Sequence, residues 1–364
     1  MHISELDTPA LLIDLDVMER NLERAARYAT EHNLRLRPHT KTHKIPALAR
    51  KQLELGAAGI TVAKTTEAEV MLAADPPDLL VAYPVVGRPK VERLIDVARR
   101  VPVTVSLDNE TSARAISAAA EAAGVRVQAL AEMDVGLGRV GVAPGEELVA
   151  LGKMLASLPG LELRGIAFYA GHIKKMDERG FEQLEELAET VERAVADFRR
   201  AGLPTGIVSG GSTPTLYQSH HIPAMNEIRP GTYIFNDRNC VACGCATWED
   251  CAASILVTVV STARGDRMIV DGGSKTFFSD GLATGEDPYF GRVLEAPEAR
   301  FVKMNEEHGY VDLEDAAGRF QVGDRIRIIP NHICVAMNLH EKVYGVRDGE
   351  VVHEWTVAAR GKLQ

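Results

Sequence analysis

A chain of 364 residues, 46% hydrophobic and 25% charged, has ordinary globular composition and room for two domains or one large α/β barrel with an appendage, which excludes a lone small module or a disordered chain. Forty-one Lys and Arg against 51 Asp and Glu leave a formal charge of −10 without long single-sign blocks, so neither nucleic acid nor a membrane surface is an expected partner. No apolar run approaches the ~18 residues of a membrane span, MHISELDTPA lacks a signal-peptide pattern, and five cysteines make an odd set unlike a secreted disulfide framework, so a cytoplasmic location is expected.

From Ala10 to about Ser209, short apolar runs alternate with amphipathic helical runs, the pattern of βα units and a parallel sheet. ALLID (10–14) leads into MERNLERAARYATEH, where Leu22, Ala25, Ala26 and Ala29 recur at helical spacing, and LRLRPHT is followed by IPALARKQLELG. Further strands are predicted at GITVAK from Gly59, DLLVAYP from Asp78, PVTVSLD from Pro102, VRVQALAEMD from Val125, LRGIAFYAGH from Leu163 and GIVSGG from Gly206. That count is eight, separated by helices such as VERLIDVARR and FEQLEELAETVERAVADFRRAG, so a (β/α)8 TIM barrel is expected in preference to an open doubly wound sheet. After about Cys251 the runs become strands joined by Gly and Asp turns, among them ASILVTVVSTA, GYVDLED and DRIRIIPNH. The expected organisation is an α/β barrel over 1–248 and a C-terminal β domain over 249–364, with residues 1–9 also able to pair with the β domain.

Three segments could carry chemistry. RPHTKTHKIP (37–46) falls where the second predicted strand ends, the end that faces a barrel's active site. In extended conformation His39, Lys41 and His43 share one face, and a lysine among cationic neighbours has a depressed pKa and becomes a usable amine nucleophile, as a Schiff-base lysine must. VSGGSTPT from Val208 is a Gly-rich turn with hydroxyls at Ser212, Thr213 and Thr215, suited to an anion such as phosphate, and RPGTY (229–233) adds a glycine and a phenol. In PNHICVAMN (330–338), His332 and Cys334 alternate onto one face of a strand or turn, where imidazole and thiolate could share a divalent ion with an open position for water or substrate. CVACGC with Cys251 lacks the spacing of a zinc ribbon or ferredoxin. Arg139 in MDVGLGRVGV could meet a ring nitrogen or carboxylate, and Tyr169 and His172 end a strand in FYAGH; Glu306 and Glu307 would favour a charged His308 imidazole.

Taken together and in order, RPHTKTHK, GLGRVGV, FYAGH, SGGSTPT, EIRPGTYIFND, EEHG and PNHIC with its following Asn338 resemble the D-threonine aldolase and D-serine dehydratase family of fold-type III pyridoxal phosphate enzymes, whose barrel is similar to that of alanine racemase. The resemblance spans nearly the whole chain. It implies a homodimer in which Lys41 holds the cofactor as a Schiff base, Gly210, Gly211, Ser212 and Thr213 with Gly231 and Tyr233 hold its phosphate, Arg139 lies by the pyridine nitrogen, Tyr169 stands beside the ring and His172 is catalytic. It also implies metal ligation by His332 and Cys334, with Zn, Mn or Mg as the ion.

Two reactions on a D-3-hydroxy amino acid are compatible with those residues. Retro-aldol cleavage gives glycine and an aldehyde; β-elimination, with Lys41 removing the α-proton, gives a 2-oxo acid and ammonia. Where the aldolases carry an aspartate ligand and a second histidine, this chain has Cys334 and Lys175, and a thiolate suits Zn and resembles the dehydratases. Chain length and the RPHTKTHK and PNH-C-N patterns most resemble bacterial proteins grouped with D-threonine aldolases, which puts the aldolase first. A racemase would need a second base, for which Tyr310 is the candidate, and a non-catalytic cofactor carrier would resemble the barrel alone.

Overall fold

The computed structural model describes residues 1–285 and 287–364. The chain divides into two compact units, one made of Glu23–Gly231 with Gly361–Gln364, the other of Met1–Leu22 with Thr232–Arg360.

The first unit is built on an eight-stranded, all-parallel sheet. Its spatial order is Arg35–Leu36, Glu227–Ile228, Ile207–Gly210, Leu161–Phe168, Val127–Met133, Val103–Leu107, Leu79–Val81 and Ile60–Val62. A parallel bridge between His39 and Thr61 joins the two edge strands, with the Thr61 N–H donating to the Pro38 carbonyl at 2.8 Å. Strands such as VTVSL (103–107) are buried along their whole length, as expected where helices cover one face and barrel interior the other. The long helix Glu178–Arg200 shows the complementary logic: Leu184, Leu187, Val191, Ala194, Val195 and Phe198 recur at three- and four-residue spacing and form its buried stripe. It starts where the Asp177 side chain accepts from the Gly180 N–H at 3.1 Å.

The barrel expectation holds, with one substitution among its strands. Ala10–Asp14, counted above as the first barrel strand, pairs instead with Ala253–Arg264 and Lys342–Arg347. The eighth barrel strand is the two-residue Glu227–Ile228, so the RPHTKTHK segment follows the first barrel strand and SGGSTPT follows the seventh. A buried apolar run such as ALLI (10–13) reads alike for either kind of sheet, and a two-residue strand has no periodicity to read.

The second unit is a nine-stranded sheet in the order Arg267–Val270, Gly309–Asp312, Arg300–Met304, Gly291–Val293, Arg325–Pro330, Ala253–Arg264, Ala10–Asp14, Lys342–Arg347 and Glu350–Thr356. Arg267–Val270 also pairs with Ala253–Arg264, which closes the first six strands on themselves. All ladders are antiparallel except that between Ala10–Asp14 and Lys342–Arg347. Residues 1–9 do pair here, through the His2–Glu350 bridge and the Ile3 N–H to Gly349 carbonyl bond of 2.9 Å.

Candidate active site and candidate metal site

At the carboxyl end of the barrel strands the chain after Arg35–Leu36 stays extended to His39 and then tightens into a 3-10 turn over Thr40–Thr42. The His39 Nδ1 accepts from the Lys41 N–H at 3.4 Å and so caps this turn. Turning rather than extending separates the three residues grouped above: His39 and His43 are buried, and the Lys41 side chain is exposed. Burial, followed by the charges of Lys41 and Arg229, holds the His39 imidazole well below its ordinary value. Burial also brings His43 down to about 4, against the help of Gln52. At neutral pH both imidazoles are therefore uncharged, and the cationic neighbourhood expected around Lys41 is not of their making.

Beneath the turn lies a polar layer that the sequence reading did not single out. Arg37 forms ion pairs with Asp78 and, through Nε at 2.9 Å, with Glu227, a close charge contact rather than an aligned hydrogen bond. Ser209 donates to Glu227 Oε1 at 2.7 Å and accepts from Arg229 Nη1, while Arg229 Nη2 donates to the Phe168 carbonyl at 2.9 Å. Glu132 is buried nearby, and burial raises its carboxyl pKa against the opposing charge of Arg229. Buried charges survive only when paired or hydrogen-bonded, and the pairing of Arg37 and Arg229 with Asp78, Glu227 and Ser209 meets that need. The available signal was a charge placed inside an apolar strand, as in VQALAEM (127–133) and EI (227–228).

The Gly-rich turn after Ile207–Gly210 has the form that phosphate binding needs. Ser212 and Thr213 are buried, their N–H groups donate to no backbone carbonyl among the described residues, and Gly211 has φ of 80°. Gly231 comes to the same place: its N–H donates to Thr213 Oγ1 at 3.3 Å, and a Cβ on it would lie 2.8 Å from Thr42 Oγ1. At Gly210 a Cβ would run into the Phe168 ring. Small residues thus let the turn, RPG and the lysine turn pack against one another with hydroxyls and amides gathered together. Pyridoxal phosphate fits this donor set. Tyr233, expected to join it, is 2% exposed in the turn Thr232–Ile234 and is grouped with the other unit.

The two remaining barrel loops interlock. The Arg139 guanidinium stands over the Tyr169 ring at 4.8 Å, and the His172 imidazole is the nearest neighbour of Gly136. Asp134 organises the GLGR loop by accepting from the Gly136 N–H at 3.0 Å and the Gly138 N–H at 3.1 Å. His172 Nδ1 is buried with no hydrogen-bond partner among the described residues, so a water or a ligand can bond to it. Lys175 is exposed.

In the other unit, His332 follows Arg325–Pro330 and precedes the short helix Ile333–Leu339, so Cys334 sits in the first helical turn rather than two places along a strand. The two side chains still come together: the Cys334 sulfur, opposed by burial and aided by Asp237, favours the protonated imidazole and pushes it up to about 11. Such surroundings favour a cation. Thr232 Oγ1 lies 3.5 Å from Cys334 Sγ. Among the described residues no group of three His, Cys, Asp or Glu side chains could hold a metal ion, so the pair would need water or substrate to complete a coordination sphere. Glu306 and Glu307, expected to act on His308, are both taken by Lys275 at 2.8 and 2.9 Å. The Tyr310 hydroxyl donates to Asn305 Oδ1 at 2.6 Å.

Two family models match the chain, one over each of two stretches. Residues 13–239 match the alanine racemase N-terminal domain, and residues 252–346 match the putative serine dehydratase domain. The chain is 32% identical to D-threonine aldolase of an Arthrobacter species over 99% of its own length and 94% of that protein's. It is 34% identical to D-threo-3-hydroxyaspartate dehydratase of a Delftia species, over 90% of this chain and 91% of the dehydratase. The crystal structure of D-threonine aldolase from Filomicrobium marinum superposes with a TM-score of 0.93 at 32% identity, covering 100% of this chain and 98% of that one. Fold and site define an enzyme with an alanine-racemase-type barrel, the class that uses pyridoxal phosphate. The chain belongs to the D-threonine aldolase and D-serine dehydratase family of pyridoxal phosphate-dependent lyases.

Proposed function

We propose that the protein is a pyridoxal phosphate- and divalent-metal-dependent lyase of D-3-hydroxy amino acids, working as a cytoplasmic homodimer, with retro-aldol cleavage of D-threonine-like substrates as its main reaction. The observation that carries this reading is the convergence of the Lys41 turn, the Ser212–Thr213 turn and Gly231 at one end of the barrel, in a chain related to such lyases along its whole length. When bound, pyridoxal phosphate supplies the electron sink that accepts the pair left on Cα after bond cleavage.

The protein's own residues would do the following. Lys41 holds the cofactor through its amine, and the amides and hydroxyls of Gly210, Gly211, Ser212, Thr213 and Gly231 bind the phosphate. Arg139 and Tyr169 flank the ring, Arg139 toward its nitrogen. His172, with a ring nitrogen unmatched by the protein, takes or returns a proton at the substrate. His332 Nε2 and Cys334 Sγ would hold the metal, which would supply Lewis-acid polarisation of the substrate hydroxyl. In retro-aldol cleavage the hydroxyl proton leaves, the Cα–Cβ bond breaks, an aldehyde departs and Cα gains a proton to become glycine.

One observation favours the second reading, β-elimination. A thiolate ligand at Cys334 suits Zn2+ better than Mn2+ or Mg2+, and Lys41 would then take the α-proton while hydroxide leaves from Cβ. The test is to incubate metal-loaded protein with D-threonine, D-serine and D-threo-3-hydroxyaspartate and assay glycine, aldehyde, 2-oxo acid and ammonia separately. Glycine with acetaldehyde in equal amounts from D-threonine is the expected result; 2-oxo acid with ammonia and no glycine replaces the aldolase by the dehydratase, and no product from any of the three defeats both.

A further inference from the structure

We propose that Asp237 is the positioning residue of the metal site, holding His332 in the one tautomer and orientation that leaves Nε2 open to the ion. This rests on the reading of His332 and Cys334 as ligands. Asp237 is wholly buried, and among the described residues no lysine or arginine pairs with it. A carboxylate without such a partner is costly to bury unless other donors or a cation offset it.

Its two oxygens have separate tasks. Oδ1 accepts from the Cys240 N–H at 2.9 Å and caps the short helix Arg238–Ala242. A capping aspartate needs no more than that. Oδ2 instead accepts from the Ile333 N–H at 3.0 Å and lies 3.2 Å from His332 Nδ1. A carboxylate oxygen only accepts, so this contact keeps a proton on Nδ1 and makes Nε2 the nitrogen that gives up its proton to an incoming ion. One oxygen thereby fixes both the ring and the backbone on which Cys334 follows. The same helix clamps the preceding residue: Asn239 Nδ2 donates to the Asn331 carbonyl at 2.8 Å and Arg238 Nη1 to Asn331 Oδ1 at 3.0 Å. Carboxylate partners of this kind orient a metal-binding imidazole and raise its basicity.

The experiment compares wild type, Asp237→Asn, His332→Ala and Cys334→Ala, all carrying pyridoxal phosphate, for Co2+ affinity by competition with a chromophoric chelator and for the Co2+ absorption spectrum. Asparagine keeps an oxygen for the Cys240 N–H but loses the second acceptor. The expected outcome is affinity weaker by roughly 10–100-fold in Asp237→Asn, with cofactor absorbance and circular dichroism unchanged. Wild-type affinity in a folded Asp237→Asn overturns the proposal. Should that variant not fold, 15N-histidine spectra of the metal-loaded wild type decide: a His332 ring protonated at Nδ1 and metal-bound at Nε2 supports the assignment, and the reverse overturns it. Failure of the metal reading itself looks different, as wild type would then bind Co2+ no more tightly than His332→Ala and Cys334→Ala.

Discussion

Lys41 is an exposed amine on a turn whose flanking imidazoles, His39 and His43, are buried and neutral, and neutrality at these two positions ties stability to pH. For His43 the folded value is about 4 against an ordinary 6.5, so its contribution is complete above about 6.5 and is lost as pH falls through 4. Over that window the loss amounts to about 3 kcal/mol at ~1.4 kcal/mol per unit. Glu132 and Glu67, whose pKa values are raised chiefly by burial, act in the opposite sense as pH rises through theirs, so the isolating measurement is a difference. The urea midpoint of wild type minus that of His43→Gln is expected to fall steadily between pH 6.5 and 4.5; a flat difference would show that His43 titrates normally. The residues with a chemical signature were legible: a lysine between histidines, a Gly-Ser-Thr turn, a His-x-Cys pair. Arg229, Glu227, Glu132 and Asp237 were not, because their meaning depends on burial and on partners up to about a hundred places away, such as Asp237 with His332.

At the scale of elements, helices announced themselves through apolar period and caps. Asn109 begins the helix Glu110–Ala123 by accepting from both the Ser112 N–H and its hydroxyl at 2.9 Å, and Gly124 ends it at φ of 66°. Asn109→Ala is expected to cost about 1 kcal/mol, read as a lower denaturation midpoint with cofactor affinity unchanged; a parallel loss of cofactor would show that this helix also shapes the site. Strands were legible as apolar runs, but not their sheet. The run ALLID and the pair Glu227–Ile228 exchanged places relative to expectation, since membership is decided by which backbone a strand pairs with.

For the whole molecule, the exchange means that Ala10–Asp14 is an interior strand, with Ala253–Arg264 on one side and Lys342–Arg347 on the other. Deleting residues 1–14 uncovers two long strand edges. The expected outcome is loss of soluble protein or aggregation on size-exclusion chromatography. A monodisperse product would mean that the flanking strands pair directly.

That interior strand also sets a timetable. Its partners Ala253–Arg264 and Lys342–Arg347 lie on the order of 200 and 300 residues further along the chain, so Ala10–Asp14 stays without a neighbour while everything between is synthesised. Glu23–Gly231, by contrast, holds all eight barrel strands and leaves the ribosome well before the nine-stranded sheet can be completed. The Lys41 turn and the Gly-Ser-Thr turn therefore emerge while Ala10–Asp14 is still unpaired, and the nine-stranded sheet closes around that strand only once Lys342–Arg347 has been made.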